Sequence, residues 1–489
     1  MRRFFIKNII FVVAINILVK PVWVFFIDRV VQNRVPNGEY GTYQALLSLG
    51  IIFQIVLDFG ITNYNSRTIA RDPEQLATVF PSMLSARLVL MALYLLLGLG
   101  WGVLLGYKGW ELHLLAGILL FQSLSALLSF IRSNISALHR FKTDGILSIT
   151  DRLMMVFVCG FLLLWPATAN RFRIEWFVIT QAACYLVTAL IAWVVLRRIS
   201  GVRLRFSFHW PTVLDVIKQS LPYALLIFQM SIYNRADAMM IERMCADGKG
   251  QADIWASAFR LLDMVNILGL MFATMLLPMY GRMLSTGQDI KPMLRLCANM
   301  LLPLSAAVAA AGIFFSGDIM LLLYKGARTG NVAQYQAVFS WLIASFPAWC
   351  LMYIYSTLLT AQGSMKVLNY IAFGGVVINL SLNFWLIPQL NAGGAAITSF
   401  ITQSLLAIAF TVASVRVFKL NVNMRWIMAH LGYMAFVGGL AWVLTAFVHI
   451  NWIYTAALFF ILSVLFMFVF RFVSPSSIKL FISKKNAAE

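Results

Sequence analysis

Apolar residues fill this chain in blocks of about 18 to 25, each closed by a short polar turn, from near residue 8 to near residue 471. A block of that length crosses a bilayer core of about 30 Å at 1.5 Å per residue, and a helix in lipid satisfies its own backbone hydrogen bonds. The pattern predicts about fourteen spans, near 8–28, 40–62, 82–105, 112–135, 147–166, 174–196, 219–241, 254–278, 293–315, 336–359, 367–388, 394–416, 427–448 and 452–471. The expected fold is an all-α polytopic membrane protein with no room for a soluble domain.

Composition agrees: 61% of residues are hydrophobic and 11% charged, against about 25% charged in soluble chains. The net charge of +20 does not indicate nucleic acid, because Lys and Arg are scattered through short loops instead of forming one patch. They set orientation. An even number of spans puts both termini on one side. Loops on that side carry roughly 23 Lys and Arg, including Arg67, Arg71, Arg140, Lys142, Arg197, Arg198, Arg203, Arg205, Lys291, Arg295 and Lys485, against roughly nine opposite. Both termini are therefore expected in the cytoplasm. Met1-Arg2-Arg3 before an apolar run imitates a signal peptide, but the run continues past Lys20-Pro21 to about Ile27 without a small-residue cleavage site. It is expected to remain as the first span. Cys159, Cys184, Cys245, Cys297 and Cys350 show neither disulfide nor zinc spacing, so no metal or cofactor is expected.

The longest connection, about 197–218, carries the densest positive charge and precedes Pro222 at the seventh span. Weak echoes follow it in order: Asp28 before Tyr40-Gly41-Thr42-Tyr43 returns as Asp237 before Ile254-Trp255, and Ala137 to Lys142 returns as Ala361 to Lys366. A duplicated six-helix unit is the expected organisation. It comprises an N-terminal bundle at 1–197, a cytoplasmic linker at 198–218, a C-terminal bundle at 219–418, and two extra helices with a cytoplasmic tail at 419–489.

Ionisable residues inside the spans are the costly features. Lys20, Asp28, Asp58, Arg87, Arg132, Asp151, Arg152, Arg235, Asp237, Arg260 and Asp263 lie within or at the edges of spans, and each at a helix centre costs about 2.5–3.5 kcal/mol in lipid. They are expected to face one another, a wet cavity or the interface. Snorkelling is the expected solution for Arg87, while Arg260 and Asp263, one turn apart, suit either a pair or a functional role. Polar stripes at helical spacing accompany them: Asn16 with Lys20; Gln44, Ser48 and Asp58; Ser125, Ser129, Arg132 and Ser136; Gln229, Tyr233 and Asp237. Interhelical hydrogen bonds of about 0.6 kcal/mol each explain any one stripe, but several together point to a shared polar interior. Pro21, and Gly374-Gly375 ahead of Asn379 and Asn383, suit bent helices, and the glycines equally suit close packing.

Soluble-enzyme signatures are absent: there is no Walker loop, G-x-S-x-G elbow or H-E-x-x-H. The chain is not expected to be an enzyme. Arg34 to Tyr43 (RVPNGEYGTY) resembles the R-x-L-G-P-E-x-Y-G element of polysaccharide flippases, and Asp58-Phe59-Gly60-Ile61 with Arg67-Thr68-Ile69-Ala70 resembles their next segment. Leu221-Pro222, Arg235-Ala236-Asp237, then Trp255, Ala258, Arg260-Leu261 and Pro278 resemble the start of their second half, with Trp255 where Tyr is usual. Ile387-Pro388 before Gly393-Gly394-Ala395-Ala396 completes the series. Together these elements resemble the Wzx type of oligosaccharide flippase, within the multidrug, oligosaccharidyl-lipid and polysaccharide exporter superfamily.

That resemblance implies two six-helix bundles facing each other across a central cavity that opens alternately to either side, with two C-terminal helices added. It implies a cargo of oligosaccharide repeat units linked by pyrophosphate to undecaprenol, moved across the bacterial cytoplasmic (inner) membrane for O-antigen, capsule or exopolysaccharide. Membrane lipid surrounds the tail, and a polysaccharide polymerase and chain-length regulator are the implied protein partners.

Bare ionised groups in hydrocarbon cost on the order of tens of kcal/mol, so buried cations must stand in for water around such a cargo. Arg offers a planar donor fork and Lys a point charge; the candidates are Lys20, Arg132, Arg235 and Arg260, with Arg152 a fifth. Candidate sugar contacts are Asn16, Gln44, Ser48, Ser125, Ser129, Gln229, Asn379 and Asn383, and candidate ion-coupling carboxylates are Asp28, Asp58 and Asp237. A lipid II flippase of the same superfamily shares the span number and basic cavity. A multidrug antiporter needs an acidic site for organic cations, and a membrane glycosyltransferase or polymerase needs catalytic acids beside large outer loops, which are short here.

Overall fold

The computed structural model describes residues 22–138, 140–169, 171–200, 210–330, 332–420, 423–448, 450–470 and 472. Every regular element among them is helical. Asn16, Lys20 and Pro21 lie outside the described residues, as do most of the first expected span, part of the expected linker and most of the expected tail. By its contacts the chain divides into two compact units, Met1–Asp253 and Ile254–Glu489.

The first unit opens on a π-helical turn (Trp23–Asp28) that continues as α1 (Arg29–Arg34). Then follow α2 (Glu39–Phe53), α3 (Ile61–Arg71), α4 (Leu76–Leu104), α5 (Trp110–Ala137), α6 (Phe141–Leu164), α7 (Ile174–Ser200), α8 (Trp210–Met244) and the start of α9 (Gly248–Ser285). Helix α5 is the hub, with α2, α3, α4, α6 and α7 all packed on it. Its Leu114, Leu115, Ile118, Leu128 and Ile131 are buried, while Leu96 on α4, Phe157 on α6 and Ile179 on α7 are exposed as lipid-facing side chains should be. Helix α8 lies along α2.

The second unit holds the rest of α9, then α10 (Lys291–Phe314), α11 (Ser316–Leu323), α12 (Val332–Ala344), α13 (Phe346–Gln362), α14 (Met365–Leu390), α15 (Ala392–Val417), α16 (Met424–Phe447) and α17 (Trp452–Val469). Helix α10 is its hub. Helices α12 and α13 pack on it, and so do α16 and α17, through Ala306, Ala307, Ala310 and Ala311 against Tyr433, Val437, Ala441 and Phe459. Small side chains let helices approach where lipid supplies no hydrophobic drive. The Trp426 indole N–H adds a hydrogen bond to Asn299 Oδ1 at 2.7 Å.

Twelve helices among the described residues are long and apolar enough to cross a membrane. They match the expected spans two to six and eight to fourteen. The seventh lies within α8, whose Lys218, Arg235, Asp237, Glu242 and Arg243 make it the more polar exception. The all-α polytopic fold of about fourteen spans therefore stands.

Three local features differ from the bare apolar pattern. The expected span 40–62 stops early: α2 passes into a 3-10 turn (Gln54–Leu57), and Phe59 and Gly60 take positive φ values of 40° and 81°. The reason is Asp58, whose carboxylate accepts from the amides of Gly60 and Thr62 and so starts a new helix. The expected span 336–359 divides between α12 and α13 at Ser345, because Pro347 has no N–H to continue the ladder. Helix α14 runs through Gly374 and Gly375 without interruption, and a Cβ on Gly375 would sit 2.8 Å from Leu406 Cδ2 on α15. Close packing explains that glycine.

Candidate functional site

Arg152 sits eleven residues into α6, about 16 Å along the helix at 1.5 Å per residue, which is close to half a bilayer core. Its guanidinium lies 5.6 Å from the Trp23 ring centroid and 5.9 Å from that of Tyr185 on α7. Nε is 3.6 Å from Asp151 Oδ2, and the side chain keeps 34% of its exposure. Aromatic packing holds this surround. Trp23 stacks on Phe177 at 5.6 Å, and Tyr43 meets Phe177 edge-on at 5.5 Å. The Tyr40 hydroxyl donates to Asp28 Oδ1 at 2.7 Å, and Gln181 Nε2 donates to the Tyr43 hydroxyl at 3.3 Å. The π turn re-registers the first span so that Trp23 and Ile27 are buried while Phe26 faces outward. A planar cation at mid-depth, lined by ring faces and only loosely paired, is equipped to receive an oxyanion.

The other expected cations are placed differently. Arg132 Nε donates to Asp144 Oδ1 at 2.8 Å, linking the ends of α5 and α6, with both side chains partly exposed. Ser125, Ser129 and Ser136 share this less buried side of α5, although the Ser129 hydroxyl bonds back to the Ser125 carbonyl. Arg235 is half-buried on α8. Arg260, in the second unit, is buried under Tyr324: its Cζ lies 6.0 Å from the ring, and Nη1 donates to the hydroxyl at 3.5 Å. That hydroxyl donates in turn to the Ser257 carbonyl at 3.1 Å.

Arg87 corrects its sequence expectation. It does not snorkel; only 2% of its side chain is exposed. Nη1 pairs with Asp58, and Nη2 donates to the Ala126 carbonyl at 2.7 Å. Burial against Thr62 on α3 and against Ala126 and Phe130 on α5 keeps the guanidinium from water, and Asp58 supplies the countercharge. Asp58 is thus engaged by Arg87 and by the start of α3 at once.

The expected sugar contacts are mostly covered. Gln44 and Ser48 are buried on α2, Gln229 is buried on α8, and Asn379 and Asn383 are fully buried on α14, where Asn383 Nδ2 donates to Asn379 Oδ1 at 3.2 Å. Asp237 is buried on α8, and Asp28 is half-buried. No group of three or more His, Cys, Asp or Glu among the described residues is arranged to hold a metal ion.

Reasoning along one helix at a time overlooks Trp23, Tyr185 and the ring faces they give Arg152. The aromatic residues are visible in the sequence, but their convergence comes from three separate segments.

Residues 5–284 match the family described as polysaccharide biosynthesis protein. Among solved structures the chain is similar to the lipid II flippase MurJ in an inward closed conformation, at 12% identity and a TM-score of 0.71, over 95% of this chain and 98% of that one. It is similar to an inward-facing multidrug resistance MATE family transporter of the MOP superfamily, at 14% identity and 0.60, over 82% and 96%. A Vibrio cholerae MATE transporter, VcmN, aligns at 16% identity and 0.59, over 84% and 95%. No curated protein matches.

Proposed function

Because this chain belongs to the polysaccharide biosynthesis protein family and shares its fold with membrane flippases and transporters, we propose that it is a lipid-linked oligosaccharide flippase. Its cargo is an undecaprenyl-pyrophosphate-linked repeat unit. It carries that unit across the bacterial cytoplasmic membrane by alternating access, with both termini in the cytoplasm, to feed synthesis of O-antigen, capsule or exopolysaccharide. A polymerase and a chain-length regulator act on what it delivers.

The observation that carries this reading is Arg152, whose partly exposed side chain sets a guanidinium at mid-depth between two aromatic rings. In lipid such a group is costly unless an anion or water meets it. A diphosphate offers oxygens suited to its donor fork, and no covalent step is needed. An inside-negative potential favours outward movement of uncompensated anionic charge by about 2.3 kcal/mol per charge per 100 mV.

Deleting the chain and weighing the accumulated lipid-linked intermediates by mass spectrometry tests the reading. Accumulation of an undecaprenyl-pyrophosphate surface repeat unit is expected. Accumulation of lipid II alone would instead favour a cell-wall flippase, a reading that the shared fold also supports.

A further inference from the structure

Far from Arg152 in sequence, the turn between α8 and α9 meets three other parts of the first unit through charged and polar side chains. The Tyr107 hydroxyl, between α4 and α5, donates to the buried Glu242 carboxylate. Arg243 lays its guanidinium 3.5 Å from the Tyr107 ring centroid, with Nε 3.4 Å from Glu242 Oε2 and Nη2 3.9 Å from Glu111 Oε2. Lys249 Nζ reaches Glu111 Oε1 at 2.7 Å, and Gln32 Nε2 on α1 donates to Asp253 Oδ1 at 2.7 Å. Two glycines permit the approach. A Cβ on Gly41 would strike the backbone at Lys249 and Asp253, and one on Gly38 would lie 2.9 Å from Lys249 Cβ.

The chemistry of this junction is that of a reversible contact. The Lys249 side chain is 53% exposed and that of Arg243 32%, so water can replace the Glu111 carboxylate at little cost, above a buried Tyr107–Glu242 contact. In the Asp58–Arg87 pair, by contrast, the arginine side chain is only 2% exposed. The junction also lies at the end of α8, which packs along α2, the helix on which Gln44 and Ser48 are buried.

We propose that the α8–α9 turn is a releasable latch, closed by Tyr107, Glu111, Glu242, Arg243, Lys249, Gln32 and Asp253, whose opening lets α8 leave α2 and uncovers Gln44 and Ser48. By the loop-charge orientation it closes the side away from the cytoplasm. Its role in transport rests on the flippase reading, but its test reads conformation without cargo.

The test places Ser48→Cys in a Cys245→Ser background of the full chain and measures labelling by a membrane-impermeant maleimide. Adding Glu111→Lys, which sets a cation against Arg243 and Lys249, is expected to speed labelling about tenfold, and Lys249→Glu on top of it to restore the slow rate. Unchanged labelling with Glu111→Lys overturns the latch. A second variant covers a folding failure: Glu111→Cys with Lys249→Cys replaces two partly exposed side chains that meet at 2.7 Å, joined by a reducible bis-methanethiosulfonate reagent. Cross-linking is expected to block Ser48→Cys labelling, and reduction to restore it. Labelling at full rate in fully cross-linked protein contradicts the proposal. Loss of the cargo reading would leave either labelling result standing.

Discussion

Arg87 and Arg152 both stand on spanning helices of the first unit, yet Arg87 is 2% exposed among Asp58, Thr62 and the Ala126 carbonyl, whereas Arg152 is 34% exposed between two rings with one carboxylate at 3.6 Å. The first directs Nη1 and Nη2 at protein oxygens and has its countercharge in Asp58, while its buried Nε has no hydrogen-bond partner among the described residues. The second has ring faces, which orient a guanidinium without consuming its donors. A cation enclosed by protein serves the fold, and one whose side chain stays partly exposed within a span is open to a ligand. Arg260 in the second unit lies nearer the first kind, since it is buried and bonded to Tyr324.

The sharpest way to break this contrast is Arg87→Ala. It leaves Asp58 without its partner and is expected to destabilise the protein by about 3 kcal/mol, read as a lower melting temperature in detergent. The protein that does fold should transport normally per molecule. Arg152→Gln should do the reverse: a smaller loss of melting temperature than Arg87→Ala, because its contact with the buried Asp151 is already long at 3.6 Å, and translocation reduced by about tenfold to a hundredfold, the loss of charge-assisted bonds worth about 1.5–3 kcal/mol. Arg152→Lys keeps the charge without the planar fork and should fall between.

Gly41→Ala probes the latch from the packing side. Its Cβ meets backbone, which cannot rotate away, so a destabilisation of about 1–3 kcal/mol is expected, with faster labelling of Ser48→Cys. A smaller effect is expected from pH. Glu242 lies beyond the expected seventh span, and burial pushes its carboxyl above the ordinary value of 4.5 despite the lowering by Tyr107 and Arg243. The closed latch therefore holds a proton more tightly than an open one that exposes Glu242. Closure should be fullest at low pH and weaken as pH rises through the raised value, seen as Ser48→Cys labelling that slows in acid by more than the falling thiolate fraction accounts for. Glu242→Gln should flatten that dependence. The smallest effect belongs to Asp144→Asn, which breaks a half-exposed pair with Arg132 and should cost no more than about 1 kcal/mol in a thermal scan.

The spans are legible in the sequence because lipid imposes one length and one polarity on each of them. Two breaks are written locally as well, at Asp58-Phe59-Gly60 and at Ser345 before Pro347, but an apolar count passes over both. The candidate site is less legible. The sequence ranks Arg152 fifth, behind Lys20, Arg132, Arg235 and Arg260; what distinguishes it is Trp23 and Tyr185, which arrive from other segments. Arg87 reads as a snorkelling side chain because it lies near a span end, and its countercharge is 29 positions away. Gly41 belongs to a recognisable motif, while the backbone that demands it, at Lys249 and Asp253, follows some two hundred residues later. Contacts between distant segments are the information that single-helix periodicity lacks.

The most direct test of the account is translocation in proteoliposomes of the lipid-linked repeat unit extracted from cells lacking this chain, with equal amounts of folded parent, Arg152→Lys and Arg152→Gln protein. Per folded molecule, parent is expected to be fastest, Arg152→Lys slower and Arg152→Gln close to the protein-free rate. Parent-like translocation by Arg152→Gln would contradict it.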